Sequence, residues 1–344
     1  LWLRCAAVRR LHPRIMPCCV APWQTGGAAP RRAPRTRLVL PPWHDPGAAA
    51  TLAHLSQICA ALSFAANARR TRPMLLEPPL ILQLALLGVV TGFLAGLLGI
   101  GGGMIMVPFL TLLMDSRGVA GGLAVKMAIA TSMATIMFTS LSSVRAHHKR
   151  GAVRWDLVRG LAPGIVAGSL LGSLGVFALL KGSSLALVFG LFVAFSATQM
   201  ILDRKPKPSR QMPATAGQFG AGAGIGFLSG LVGAGGGFIS VPFMTWCNVA
   251  IHNAVATSAA LGFPIAVANV AGYVISGHGL SGLPAGSLGY IWLPALAVIA
   301  LCSVFTAPLG AKAAHSLPVA SLKRVFASVL YLLAAYMLHK ALTS

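Results

Sequence analysis

The sequence predicts an all-α polytopic membrane protein made of two homologous halves, set as an inverted repeat, each with a helix broken at a glycine run. Three observations predict it: long uncharged apolar blocks, a glycine motif that occurs twice, and the placing of Lys and Arg in the loops between blocks.

The apolar blocks come first. Of 344 residues 56% are hydrophobic and 9% charged, with a mean hydropathy of +0.79. A water-soluble domain carries about 25% charged residues. About 20 apolar residues at 1.5 Å each cross a hydrocarbon core of about 30 Å. Apolar segments lie near 80–98, 104–114, 119–144, 160–180, 183–202, 214–232, 238–250, 254–276, 288–311 and 320–342. They do not alternate apolar and polar residues, so a β-barrel does not fit. Helices then follow, because lipid cannot satisfy open backbone groups.

Residues 1–73 are set apart by composition. They hold eleven Arg, no Lys and one acid, Asp45, with proline too dense for a regular period. The reading is an Arg/Pro-rich extension, either disordered or untranslated sequence upstream of a start at Met74. A targeting peptide and a nucleic-acid arm are the alternatives. The formal net charge is +22. Its basic groups beyond residue 73 lie in loops between apolar blocks, which suits anionic headgroups rather than nucleic acid.

The repeat is the second observation. GFLAGLLGIGGGMIMVPFLT at 92–111 recurs as GFLSGLVGAGGGFISVPFMT at 226–245. Six glycines and a proline stay in register, beyond what scattered Leu and Val matches would give. A second match follows, Met127–Ser132 with Asn253–Ser258, which sets Lys126 opposite His252. Two transmembrane repeats result, 80–203 and 214–342.

The third observation sets direction. Arg145, Lys149, Arg150, Arg154 and Arg159 fill one loop, and Arg204, Lys205, Lys207 and Arg210 another. Both face the cytoplasm under the positive-inside rule. The loop 277–287 has no Lys or Arg and faces out, whereas Lys312, Lys323 and Arg324 face in. The pattern closes only if 214–250 enters the membrane and returns, which inverts the second half against the first.

The glycine runs point to chemistry. Gly101, Gly102 and Gly103, and Gly235, Gly236 and Gly237, sit inside apolar blocks, where Gly costs about 1 kcal/mol against Ala in a helix. Helices opened there would restart at mid-depth with bare, partly positive N–H groups, a site for an anion. Packing is the competing role, and the ladders Gly88/Gly92/Gly96, Gly222/Gly226/Gly230 and Gly164/Gly168/Gly172 are assigned to it. Thr131 and Ser132, recurring as Thr257 and Ser258, can donate to the anion or bond to their own preceding turn. Lys126 and His252 stand one turn earlier, as substrate contacts or as snorkelling groups. Asn269 faces another helix or the cavity, and His147 and His148 sit solvated in a basic loop.

Enzyme chemistry finds no support. Glu77, Asp115, Asp156 and Asp203 lie at segment ends, far apart, and no HExxH, nucleophile elbow or Walker loop occurs. The six Cys form no CxxC pair, so no metal, cofactor or disulfide is expected.

The doubled glycine motif, each copy followed by ATS, resembles the TauE/SafE family of sulfite and organosulfur anion exporters. So do AHHKRGAV at 146–153 and GYVISG at 272–277, and the likeness covers 80–342. The resemblance implies a multi-pass carrier of the bacterial inner membrane. Its partners would be a small anion and the lipid bilayer, with no nucleic acid. It implies a site at the two glycine runs and the two Thr-Ser pairs. A passive anion channel and a non-transporting membrane scaffold are the alternatives.

Overall fold

A computed structural model describes residues 77–98, 102–202, 211–280, 282–313 and 319–343. Intrachain contacts group Leu62–Ser344 as one unit, which holds all of them. The expectations for 1–73, for Gly101 and for the basic run 204–210 fall outside the described residues.

The first half gives α1 (Pro78–Leu98), α2 (Gly103–Ser116), α3 (Gly121–His148), α4 (Trp155–Leu179) and α5 (Gly182–Leu202). The second gives α6 (Thr215–Val232), α7 (Gly237–Trp246), α8 (Ile251–Ser276), α9 (Leu293–Ala313) and α10 (Val319–Thr343). A short antiparallel hairpin of β1 (Ser287–Leu288) and β2 (Ile291–Trp292) precedes α9. Within α4, residues Leu171–Val176 widen into a π-helical turn beside Gly272 and Tyr273 of α8.

Among the described residues seven helices are long and apolar enough to cross a membrane: α1, α3, α4, α5, α8, α9 and α10. Six glycines and Gln218 dilute α6 below that mark. Side chains such as Leu82, Leu179, Phe305 and Leu332 point out of the bundle, each at least 70% exposed. This is the expected outer surface of a body bathed in hydrocarbon rather than water.

Glycine ladders decide the closest pairs. Gly88, Gly92 and Gly96 of α1 lie in turn against Ile299, Ser303 and Ala307 of α9. Gly164, Gly168 and Gly172 of α4 lie against Phe219, Ala223 and Phe227 of α6. A Cβ at Gly96 or Gly168 would collide with a backbone carbonyl of the partner, so only glycine lets these helices approach so closely. Both pairs are parallel, and each joins the first helix of one half to the fourth helix of the other.

Other contacts fix the remaining directions. Thr131, Thr139 and Ser142 of α3 bond residues 292, 303 and 304 in that order, so α3 runs with α9. Thr257 meets Arg154, and Tyr273 meets Phe177, so α8 runs with α4. Gly190 lies on Leu338 and Thr198 bonds Tyr331, so α5 and α10 are antiparallel. The six-residue turn from α3 to α4 is closed by Ala152 N–H to His147 C=O, and two residues separate α4 from α5. Helices α1, α3, α5 and α9 therefore point one way, and α4, α6, α8 and α10 the other. Helix for helix, the second half opposes the first.

The short helices double back. Arg117, just past α2, pairs with Glu77 at the start of α1 at 3.6 Å. Gly102 lies against Thr91, deep along α1. The 14 residues of α2, about 21 Å long, thus begin inside the bundle and return to the face α1 left. Gly236, packed on Ile225 and Ser229 of α6, begins α7 in the same way.

The bundle has two polar ends. Arg145, Lys149, Arg150, Arg154, Arg159 and Lys312 gather at one, where Arg150 donates to the Ala311 carbonyl at 3.2 Å. Arg117, Lys126, Lys181 and Lys340 belong to the other. There Asp115 pairs with Lys340 at 2.7 Å and, more loosely, with the Tyr336 hydroxyl at 3.5 Å.

Candidate functional site

The two glycine breaks meet in the middle of the bundle. Gly102 (φ 69°) and Gly236 (φ 73°) are the residues before α2 and α7, both in the left-handed region that glycine alone enters without strain. Neither start has a side-chain cap. A Cβ at Gly103 would strike the Gly233 carbonyl, so the start of α2 abuts the end of α6. Ser132 of α3 bridges this junction, its single hydroxyl proton lying within reach of Gly233 C=O at 3.0 Å and Ile129 C=O at 2.9 Å. Packing therefore accounts for Gly102, Gly103 and Gly233. Gly237, the first residue of α7, is buried as well.

Gly235 lies differently, on a small cavity walled by α1, α3 and α8. Its lining includes Ala95, Thr139, Ser140, Ser143, Ser258 and Gly262, and its volume is about 10 Å³. That admits about one water and no oxyanion. Its polar wall is hydroxyl. Ser140 Oγ donates to Met137 C=O, Thr139 pairs with Ser303 at 2.7 Å, and Ser240 Oγ donates to Ser258 Oγ at 2.9 Å. Ser143 Oγ has no hydrogen-bond partner among the described residues although the side chain is buried.

These groups belong to a longer pattern. Thr131, Thr135, Thr139, Ser143 and His147 recur every four residues of α3 and are all buried. Residues at i and i+4 are neighbours on a helix surface, so α3 carries a polar ridge from Thr131 to His147 that winds round it by about 40° per step. Thr135 and Thr139 each donate to the carbonyl four residues back, at 3.0 Å, the local bond open to hydroxyls in an apolar helix. The ridge was legible in the sequence by counting on from Thr131, yet Thr139, Ser140 and Ser143 were not singled out there. His147, expected in solvent, is 2% exposed, because α3 extends to His148 and the following turn folds back on it. His148 is exposed as expected and accepts from Trp155 Nε1.

A second group of buried polar atoms flanks the break on its other side. Ser169 Oγ, Ser229 Oγ and Asn269 Oδ1 lack hydrogen-bond partners among the described residues. Ser169 and Asn269 crowd Gly226 and Gly230 of α6, and Ser229 of α6 crowds Gly236 before α7. Tyr273 donates its hydroxyl to Gly230 C=O from the same helix as Asn269.

The paired threonines do something the sequence did not suggest. Thr131 Oγ1 accepts from Trp292 N–H at 3.0 Å, and Thr257 Oγ1 accepts from Arg154 N–H at 3.0 Å. Trp292 and Arg154 immediately precede α9 and α4. Each threonine thus caps the start of the fourth helix of the opposite half, satisfying an N–H that the helix cannot.

Lys126 and His252, equivalent in sequence, are not brought together. Both stand near the start of their helices, but α3 and α8 run oppositely, so Lys126 lies at one end of the bundle and His252, exposed, at the other. Lys126 donates to the Ala178 carbonyl at 3.1 Å and lies over the rings of Phe177 and Tyr290. Among the described residues no three His, Cys, Asp or Glu side chains converge as metal ligands would.

The chain is 38% identical over 261 residues to a probable membrane transporter protein of Haemophilus influenzae, covering 76% of this chain and 98% of that protein. A probable membrane transporter protein of Methanocaldococcus jannaschii is 28% identical, with 77% and 96% covered. The probable membrane transporter protein YunE of Bacillus subtilis is 28% identical, with 76% and 98% covered. No solved structure shows significant similarity. The model of the sulfite exporter TauE/SafE family matches residues 84–337, from α1 to α10, and the chain is a multi-pass membrane protein belonging to that family.

Proposed function

We propose that the chain is a secondary carrier of a small oxyanion, sulfite or an organosulfonate, across the bacterial inner membrane. The observation that carries this reading is the buried hydroxyl ridge of α3 passing the cavity at Gly235, where the two glycine breaks meet. Hydroxyls and helix starts donate hydrogen bonds without adding a full charge, which suits reversible binding of an anion. No carboxylate lines the cavity. The relatives' names support membrane transport, and the family name supports sulfite as the substrate.

A carrier fits better than a channel. The cavity holds about one water and is too small for an oxyanion, so loading one requires α3 and α8 to part. An open pore would need a continuous wet passage. The end bearing Arg145, Lys149, Arg150, Arg154, Arg159 and Lys312 faces the cytoplasm by the positive-inside rule. Substrate would then pass from the Arg150 end to the Lys126 end.

Proteoliposomes preloaded with unlabelled sulfite test the proposal. Labelled sulfite should enter by saturable counterflow, and Ser140→Ala with Ser143→Ala should lower that flux at unchanged protein insertion. Flux that rises linearly without counterflow would refute a carrier. Full flux in the double variant would refute the site.

A further inference from the structure

The geometry points to an oxyanion-binding vestibule at the Lys126 end, built from two lysines and two helix starts, where the transported anion docks on the side away from the basic loops. This rests on the carrier reading above and adds a second site to it.

The pocket has a volume of about 310 Å³, opens outward, and is lined by Gly122, Lys126, Lys181, Gly182, Leu280 and Tyr290 among others. A small oxyanion fits there with several waters, each needing about 30 Å³. Two lysines line it and no carboxylate does. The carboxylates of this end are engaged elsewhere, Glu77 with Arg117 and Asp115 with Lys340.

Backbone adds to the positive field. Gly122 lies in the first turn of α3 and Gly182 begins α5, helices of 28 and 21 residues. The first N–H groups of each lack intrahelical partners and carry partial positive charge. Gly122 and Gly182 pack together so closely that a Cβ on Gly182 would strike the Gly122 backbone. The two helix starts are therefore held side by side at the pocket wall.

Lys126 is held in place rather than left to sweep solvent. Its ammonium donates to Ala178 C=O, near the end of α4, and lies 5.6 Å from the Phe177 ring centre and 5.5 Å from that of Tyr290. One of its three donors is used on that carbonyl. Burial holds the Tyr290 phenol above its ordinary range, so it stays an O–H group at neutral pH. Behind the pocket, Phe177 packs tilted against Tyr273 with ring centres 4.4 Å apart, and Tyr273 bonds Gly230 at the glycine break. Lys126 also stands just over one turn before Thr131, where the polar ridge begins. The vestibule is thus the outer mouth of the same route.

Equilibrium binding of radiolabelled sulfite to the purified full-length chain in detergent tests this, with melting temperature recorded for each variant. Lys181→Gln should weaken binding about tenfold at low ionic strength, since a hydrogen bond to a charged group is worth about that factor. Lys126→Gln should do the same, the double variant should lose about a hundredfold, and Lys181→Arg should largely restore it. Lys181 is exposed, so its variants keep the test valid if Lys126→Gln melts early through the lost Ala178 contact. Wild-type affinity in Lys181→Gln would overturn the vestibule. So would failure of the wild type to bind sulfite, sulfate or phosphate. A lipid phosphate offers the same chemistry; displacement of sulfite by added phosphatidylglycerol would assign the pocket to headgroups and overturn the solute site, while undisturbed binding supports it. Flux in proteoliposomes separates the two readings. Lysine-dependent binding without counterflow keeps the vestibule and removes the carrier; counterflow with unchanged affinity and KM in the lysine variants does the reverse.

Discussion

Replacing Thr131 by Val removes one oxygen and keeps the shape, and the structure assigns that oxygen a particular task. It accepts from the N–H of Trp292, a residue with no exposed surface. Water cannot take over there, so the donor is left unsatisfied, at about 1–3 kcal/mol. An N-cap loss alone is worth about 1 kcal/mol. A loss of about 2 kcal/mol follows for Thr131→Val. The equivalent change, Thr257→Val, should cost about 1 kcal/mol or less, because Arg154 is exposed and its N–H can turn to solvent. Thr131→Ser should restore nearly all of the loss. Denaturant unfolding of the purified protein in micelles reads these differences, and sulfite binding is measured in parallel. The two caps sit at opposite ends of the bundle, so their effects should add in the double variant. The reasoning fails if Thr131→Val unfolds like the wild type while losing sulfite affinity, for the hydroxyl would then serve the ligand and not the helix.

Three further outcomes follow from contacts. Gly168→Ala places a methyl on the Ala223 carbonyl and should cost about 1–3 kcal/mol as overpacking, read as a lower melting temperature, whereas Gly224→Ala, with open space around it, should be neutral or slightly stabilising. Ser143→Ala should leave stability within about 0.5 kcal/mol, because its hydroxyl has no described partner to lose, yet should lower sulfite counterflow. Arg154→Ala breaks a pair with Asp156 whose side chains are 50% and 57% exposed, so it should change stability by less than about 1 kcal/mol in the same unfolding assay.

Much of the helical layout could be read directly from residues, and the misreadings have physical causes. Apolar block length located the spans, but α6 is diluted by the same glycines that let it lie against α4. The glycine ladders were legible as packing surfaces, while their partners were not, since Gly88 and Ile299 are brought together only by topology. The two Thr-Ser pairs posed a choice between ligand contact and local bonding. Thr131 and Thr257 instead cap backbone 161 and 103 residues away. Lys126 and His252 looked equivalent because alignment ignores direction, and opposite helix directions carried them to opposite ends. His147 looked like a loop residue because HHKR is strongly polar, whereas α3 continues through it. The cavity at Gly235 depends on three helices meeting, a fact that no local spacing records.

The exchange of first and fourth helices between halves also bears on how the chain is made. The glycine face of α4 finds α6 within about 55 residues, Gly164 meeting Phe219. The matching face of α1 waits roughly 210 residues for α9, as Gly88 meets Ile299. At about 5–20 residues per second of synthesis, the first delay is about 3–11 s and the second about 10–40 s. Two contacts that look alike in the finished protein therefore form on different clocks, and through the longer one the nascent α1 presents its bare glycine stripe to lipid or to the insertion machinery. A ribosome that stops before residue 299 leaves that stripe with nothing to close on.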